Sequence, residues 1–233
     1  MVDKRVRQTR IYEKVVDEIK ALIASGSLRQ GEPVPPERQL MEDLGVSRSS
    51  LREAFRVLEL LGLIESIPGK GRFVRRGRGE EGGASDPRKL EDGAILELME
   101  ARRVLDPAIA AEAARKARSG DLTRLRRVLS ATEGSMAVPK DRAQADFDFH
   151  LVLTEATQNF VFVNIVKMTF NLIMATHDRI YSLLSDKDAF LHEHQEIYEA
   201  ILNHDGEGAA RSSSRHIERI YRTLQEALAL EGP

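Results

Sequence analysis

The chain has 233 residues, enough to bury the core of one large domain or two modest ones, and its 5% aromatic content, absence of Trp and eight Pro favour an all-helical protein. It contains no Cys, which excludes disulfides, thiolate metal sites and thiol catalysis. The net charge is −2, no apolar run follows the basic N-terminal residues, and no uncharged stretch approaches the roughly 18 residues of a membrane span, so the cytoplasm is the expected location, with no membrane partner.

In chain order, Val15, Val16, Ile19, Leu22 and Ile23 recur at helical spacing, and Gly26 closes this first helix. A turn through GEPVPP leads to a second helix with Pro36 at its first position, apolar residues Leu40, Met41 and Leu44, and a stop at Gly45. Ser47 suits the N-cap of a third helix that runs to about Leu61, with Leu51, Ala54, Phe55, Leu58 and Leu61 facing inward. After Gly62 come Leu63–Ile67, the turn Pro68-Gly69-Lys70-Gly71 and Arg72–Arg75, a hairpin with a glycine-rich tip. Three helices and a hairpin over residues 10–76 predict a winged helix-turn-helix.

Composition then changes. Gly and charged residues replace apolar periodicity around residues 75–93, which marks a linker over 77–91. Beyond it, helices are predicted near 92–118, with a bend at Asp106-Pro107, and near 121–136, 140–156, 159–184, 187–203 and 206–230. The expected fold is mainly α: a winged helix joined to a bundle of six or seven helices over 92–230 that can enclose a cavity. Residues 1–79 hold 16 Lys and Arg against 11 Asp and Glu, whereas residues 80–233 hold 19 against 26. A basic unit joined to an acidic one fits a DNA reader tied to a control domain; uneven surface charge without meaning is the alternative.

In a helix-turn-helix, residues at the start of the third helix face base edges, while helix ends and the wing hold phosphates. Arg48 lies in that first turn and Arg52 one turn later on the same face, where a guanidinium fork can pair with guanine. Ser47, Ser49 and Ser50 are small donors that let the backbone approach phosphates. Arg38 is placed to touch the backbone or an adjacent base. In the wing, Gly69 and Gly71 permit close approach and Lys70 and Arg72 supply charge. A solvated Arg on an amphipathic helix explains any one of these, though not the set in this order. The segment PPERQLMEDLGVSRSSLREAFRVLELLGLIESIPGKGRFV resembles the DNA-binding domain of the GntR family of bacterial transcription regulators. The resemblance covers roughly residues 10–76 and implies DNA contacts for Arg38, Arg48, Arg52 and Gly69; some members carry His where this chain has Pro68. A two-fold symmetric homodimer on a near-palindromic double-stranded operator is then expected.

In the second part, Asp146 and His150 stand at i, i+4 in ADFDFH, on one face of one helix; His194 and His216 fall on later helices. One carboxylate and three imidazoles suit a divalent ion, zinc or nickel among others. By spacing alone, a helical His is more often a surface or core residue, so the set stays open on that ground. The segments LMEARRVLDPAIAAEAA, ADFDFHLVLTEATQN and EHQEIYEAILNHDGEGAARSSSRHI resemble the FCD ligand-binding domain of the FadR-type branch of the same family. This resemblance implies that Asp146, His150, His194 and His216 are the metal ligands. It also implies that Arg102 points into the cavity, where it can pair with the carboxylate of a small organic acid. The alternative for Arg102 is an i, i+4 surface pair with a neighbour such as Asp106. His177, His192 and His204 are expected to be solvated, and Phe147, Phe149, Phe160, Phe162 and Phe170 to be bundle core. The resulting expectation is a homodimeric regulator, in the first instance a repressor, controlled by a carboxylate effector at a zinc-type centre. A regulator that senses the metal itself is the first alternative. A metal-dependent hydrolase is remote, because no motif supplies a general base.

Overall fold

A computed structural model describes residues 4–75, 87–132, 138–184 and 186–230, with side chains described from Ile11 onward. The chain divides into two compact units, residues 1–94 and 95–233. Most of the expected linker lies outside the described residues, but residues 87–91, read as linker, already belong to a helix.

The first unit contains α1 (Lys4–Ala24), α2 (Glu37–Leu44), α3 (Arg48–Leu60), β1 (Ile64–Ile67), β2 (Gly71–Val74) and the first turns of α4 (Pro87–Lys116). Tyr12, Val15, Val16 and Ile19 of α1 are buried, as is the full inward face expected of α3: Leu51, Ala54, Phe55, Leu58 and Leu61. A fully buried Leu or Phe contributes roughly 1.5–3 kcal/mol, so this small cluster suffices to hold three helices together. Ser47 caps α3, its side chain accepting from the Ser50 N–H. Pro36 is itself the capping residue of α2, one position earlier than expected. At the far end of α3, Gly62 adopts φ +67°; its N–H donates to Glu59 O at 3.1 Å and the Leu63 N–H to Leu58 O at 3.0 Å. That left-handed turn satisfies the last carbonyls of the helix and aims the chain into β1.

The wing pairs β1 with β2 antiparallel, Ile64 opposite Val74 and Ile67 opposite Gly71. The GEPV segment is more than a turn. Gly31 N–H donates to Val74 O at 2.9 Å, Val74 N–H to Glu32 O at 2.9 Å and Val34 N–H to Arg72 O at 2.8 Å, so residues 31–34 run along the outer edge of β2. Also within this unit, Lys20 Nζ pairs with Glu91 Oε1 at 2.9 Å, tying α1 to the first turn of α4.

The second unit holds the rest of α4, then α5 (Ser119–Thr132), α6 (Pro139–Ala156), α7 (Phe160–Ala175), α8 (His177–Leu183), α9 (Lys187–Leu202) and α10 (Gly206–Leu230). Pro107 lies inside α4, where its ring nitrogen forfeits the bond to the carbonyl of Arg103 without ending the helix. Helix α6 is the centre: it packs on α5, α7 and α8, while α9 and α10 pack on each other. Its buried face is wide and includes Arg142, Asp146 and His150, while Asp141, Gln144, Asp148, Leu151 and Glu155 form an exposed to half-buried stripe along the other side.

The helix expected over 159–184 is in fact two, α7 and α8, meeting at a bend of 80°. Thr176, with φ −122° and ψ 15°, leaves the helical conformation at the break. Its hydroxyl donates to Leu172 O at 2.8 Å, a local bond that competes with continuation of the helix. No single helix among the described residues is long and apolar enough to cross a membrane. Phe149 and Phe170 are buried and Phe147 and Phe162 half-buried, but Phe160 is 75% exposed. It projects from the first position of α7, directly after the Asn159 cap, rather than joining the core.

Arg72 departs from the sequence expectation. Its guanidinium is held at 2.9 Å from Glu37 Oε1 and 3.3 Å from Glu59 Oε1, and lies 4.2 Å from the centroid of Phe55. It therefore fastens the wing to α2 and α3 and is not a free wing-tip charge. Arg72→Ala should loosen the hairpin without unfolding the unit. Hydrogen exchange of the β1 and β2 amides is expected to accelerate roughly 10-fold, the effect of losing about 1.4 kcal/mol of local stability. Unchanged exchange would remove Arg72 from this role.

Candidate functional site

Two clusters collect the residues singled out from the sequence. On the first unit, Ser47, Arg48, Ser49 and Arg52 are exposed on α3, and Pro68, Gly69 and Lys70 are exposed at the wing tip. Arg38, on α2, pairs with Glu42 at 3.3 Å with both side chains in water. Ser50 is buried and bonds Ser47 Oγ at 3.0 Å, so it belongs to the cap and not to the outer surface. Gly69, at φ +75°, has nothing within 4 Å of the position of an added Cβ. The constraint there is the left-handed backbone of the turn, since steric room is ample.

The second cluster is buried. Asp146 and His150 project one turn apart from α6, His194 from α9 and His216 from α10, and one potential donor atom from each lies within 4.8 Å of all the others. Asp146 Oδ1 is 3.1 Å from His194 Nε2 and 3.3 Å from His150 Nε2. The tautomers follow from the outer contacts. His194 Nδ1 is 2.7 Å from the Phe190 carbonyl, which can only accept, so that nitrogen carries the proton. His216 Nδ1 is 2.8 Å from Glu193 Oε2, a carboxylate held in turn by Arg219 at 2.5 and 2.7 Å. In the neutral rings the Nε2 lone pairs of His194 and His216 therefore turn inward, beside Asp146 Oδ1. His216 Nε2 is buried with no hydrogen-bond partner.

Inward lone pairs on buried atoms repel one another unless a proton or a cation lies between them. Zinc bonds of about 2.0–2.2 Å place tetrahedral donors roughly 3.3 Å apart, close to the two distances found to Asp146 Oδ1. The residues thus fit a divalent metal.

Charges around the cluster are balanced. Arg102, 2% exposed, donates from Nε to Asp106 Oδ2 at 2.9 Å, and its terminal nitrogens lie 3.3 Å from His150 Nε2 and 3.9 Å from Asp146 Oδ2. Arg102 does pair with Asp106, but in the interior and not at the surface, and it also borders the cluster. Arg103 points away, to Glu218 at 2.7 Å. Burial disfavours the Asp146 anion, but where a proton lies between it and His150 or His194, those imidazoles together with Arg102 overcome the cost and hold the carboxyl well below its usual range. The Tyr181 hydroxyl donates to Asp146 Oδ2 at 2.9 Å; burial and that anion raise the phenol well above its ordinary value, so it stays protonated. Burial, with His194 next, lowers His216 to about 4.

Tyr181, Glu193 and Arg219 were not found from the sequence. Glu193 immediately precedes His194, yet it serves His216, a pairing that only the packing of α9 on α10 creates. Of the histidines expected to be solvated, His192 and His204 are exposed, the latter also bonding Ala114 O through Nδ1 at 2.8 Å, whereas His177 is half-buried with Nδ1 at 2.7 Å from Met174 O.

Residues 11–74 match the gntR family of bacterial regulatory proteins, and residues 97–219 match the FCD domain. The chain is 30% identical over 226 residues to the Uxu operon transcriptional regulator of Escherichia coli, covering 93% of this chain and 88% of that one. It is 31% identical over 238 residues to the Glc operon transcriptional activator of the same species, covering 95% and 91%. The chain belongs to the GntR family and carries an FCD domain. It is a DNA-binding transcription regulator with an effector-binding domain; the family and these relatives are regulators, not enzymes. In solved structures its fold is similar to that of Lar of Listeria monocytogenes, with TM-score 0.63 and 21% identity over 92% of this chain and 96% of that one. It is also similar to E. coli McbR/YncC, with TM-score 0.60 and 15% identity over 98% and 100%.

The depressed His216 makes the metal-free FCD domain acid-sensitive. Between the ordinary value of 6.5 and about 4, the unfolded chain binds a proton that the folded chain does not. The stability contributed by a neutral His216 is complete above pH 6.5 and is lost as pH falls through that window. Glu193, against burial, is lowered by His216 and Arg219 to about 2, and its contribution fades only below its ordinary 4.5. Thermal unfolding after chelation should therefore show a loss of about 2 kcal/mol between pH 7 and pH 5. His216→Gln should flatten that dependence; an equally steep profile in the variant would refute the assignment.

Proposed function

We propose that this regulator reads a near-palindromic operator as a homodimer and that a divalent metal in its FCD domain, together with Arg102, binds a small carboxylate effector. The observation that carries the effector reading is the convergence of inward-facing lone pairs from Asp146, His150, His194 and His216 on a spot bordered by the Arg102 guanidinium. The donor set, one carboxylate and three imidazoles, suits zinc first and nickel next. A metal that keeps open positions offers a carboxylate two points of attachment, the ion and the guanidinium fork.

For DNA, exposed Arg48 and Arg52 near the front of α3 are assigned to base edges. Arg38, Ser47, Ser49, Gly69 and Lys70 are assigned to the backbone and wing contacts. Two-fold symmetry of the protein asks for two-fold symmetry of the DNA. Ligand changes operator affinity by favouring one of two arrangements of the FCD domain. We take the direction as repression relieved by ligand, in the cytoplasm. One relative is named an activator, so the sign differs among similar proteins.

Arg48→Ala and Arg52→Ala should each weaken operator binding at least 10-fold in a gel shift, consistent with roughly 1–3 kcal/mol per guanine contact, while circular dichroism stays unchanged. Wild-type affinity in both would reject the DNA contacts. The metal reading is tested by elemental analysis of the purified protein and by titration with a small hydroxycarboxylate series before and after chelation. Effector binding that survives chelation intact would make the ion structural. Operator affinity that follows zinc alone, with no response to any acid, would favour metal sensing.

A further inference from the structure

Helix α8 is seven residues long, stands at 80° to α7, and carries one side chain into the buried cluster, Tyr181. Its phenol donates to Asp146 Oδ2, leaving Oδ1 as the oxygen that faces His194 and His150 at 3.1 and 3.3 Å. The two oxygens of this carboxylate therefore have separate duties: one is held by the phenol, the other faces the imidazoles. At its C-terminal end α8 is fastened by Arg142, which stands on α6 one turn before Asp146. The guanidinium donates to the Leu184 carbonyl at 2.6 Å and to the Tyr181 carbonyl, and lies 5.3 Å from the Tyr181 ring.

Arg142 is 7% exposed, has no carboxylate within ion-pairing distance among the described residues, and leaves Nε without a partner. Burying a cation without a counter-ion is costly. Here it is compensated by the negative pole of α8, where the last carbonyls lack helical partners. Asp146 and Arg142 thus grip the same short helix from one helix, the first by its side-chain end at Tyr181 and the second by its backbone end.

We propose that Tyr181 is a positioning residue for the metal: by occupying Oδ2 it makes Asp146 a one-oxygen ligand through Oδ1, and it couples α8 to occupancy of the site. This rests on the metal reading above. Partners that fix a ligand's orientation typically change metal affinity 10–100-fold when removed. Without the hydroxyl, Oδ2 keeps only the more distant Arg102 guanidinium, at 3.9 Å, and the carboxylate is freer to turn and offer both oxygens. In cobalt(II) protein that raises the coordination number and weakens the visible ligand-field bands. The second consequence concerns α8. A bound cation fixes Asp146, which fixes the phenol, so loading should slow amide exchange over residues 178–184.

The experiment uses the full chain, stripped of metal by chelation and titrated with cobalt(II) alone. Tyr181→Phe keeps the ring, and urea unfolding of the metal-free variant checks that packing survives. Expected are cobalt affinity lower by 10–100-fold, weaker visible bands, and loss of the cobalt-induced protection of 178–184 that wild type shows. Arg142→Met should reduce the same protection while leaving the phenol in place, with a smaller fall in affinity. If Tyr181→Phe binds cobalt with wild-type affinity and bands, the positioning role is overturned while the metal reading stands. If Arg142→Met keeps full protection of α8, the clamp is overturned. If wild type takes up no cobalt, the metal reading itself fails and this inference with it.

Discussion

A buried, ionised carboxylate is the constraint around which the FCD domain is organised. Moving such a group out of water costs several kcal/mol, and a protein retains it only where partners restore what hydration supplied. Around Asp146 those partners come from every side: imidazoles from α6, α9 and α10, a phenol from α8 and a guanidinium from α4. Helix α6 accordingly carries Arg142, Asp146 and His150 among the apolar residues of its buried face. The flanking apolar residues, Phe149, Phe170 and Phe190, pack edge-on or tilted against the histidine rings and keep water from the cluster. The domain would collapse more simply with leucines at these positions, so the polar core reads as a functional expense.

The second layer decides what the first can do. An imidazole has one proton for two nitrogens, so a bond made outside the cluster determines what is offered inside it. The Phe190 carbonyl and the Glu193 carboxylate each claim an Nδ1 proton, and the lone pairs of Nε2 face inward as a result. Glu193 is anchored twice by Arg219, so the chain of constraint passes from an α10 arginine through an α9 glutamate to an α10 histidine. The FCD resemblance, with its ligand spacing, identifies none of these outer partners.

What was legible in the sequence was local. Ser47 as a cap, Gly45 as a stop, the glycine-tipped hairpin of β1 and β2 and the inward face of α3 depend on neighbours within a few residues, and each was readable. The pairing of Asp146 with His150 was readable for the same reason, being one helical turn. Bringing His194 and His216 to them required the family resemblance, since no spacing rule joins three helices. The break between α7 and α8 was missed because Thr176 carries neither a Gly nor a Pro signal; its hydroxyl bonds the Leu172 carbonyl at the bend. Tyr181 and Arg142 were missed with it, because both act through α8, and an uninterrupted helix over 159–184 would not have turned to meet them.

Arginine shows most plainly where sequence reading stops. Arg38, Arg48 and Arg52 are exposed, the state required of side chains assigned to DNA, whose phosphates can replace hydrating water at little cost. Arg72, Arg102 and Arg142 carry no local signal that sets their exposure apart from these, yet the first is half-buried and the others buried, each held by a different substitute for water. For Arg72 it is two glutamates and a phenyl ring, for Arg102 an aspartate and the edge of the Asp146–histidine cluster, and for Arg142 the carbonyls of a short helix. The residue type and the charge are the same in all six cases. The partner that replaces water separates an arginine left free at the surface from a wing fastener, a member of the buried cluster's border or a helix clamp, and that partner is supplied by packing distant in sequence.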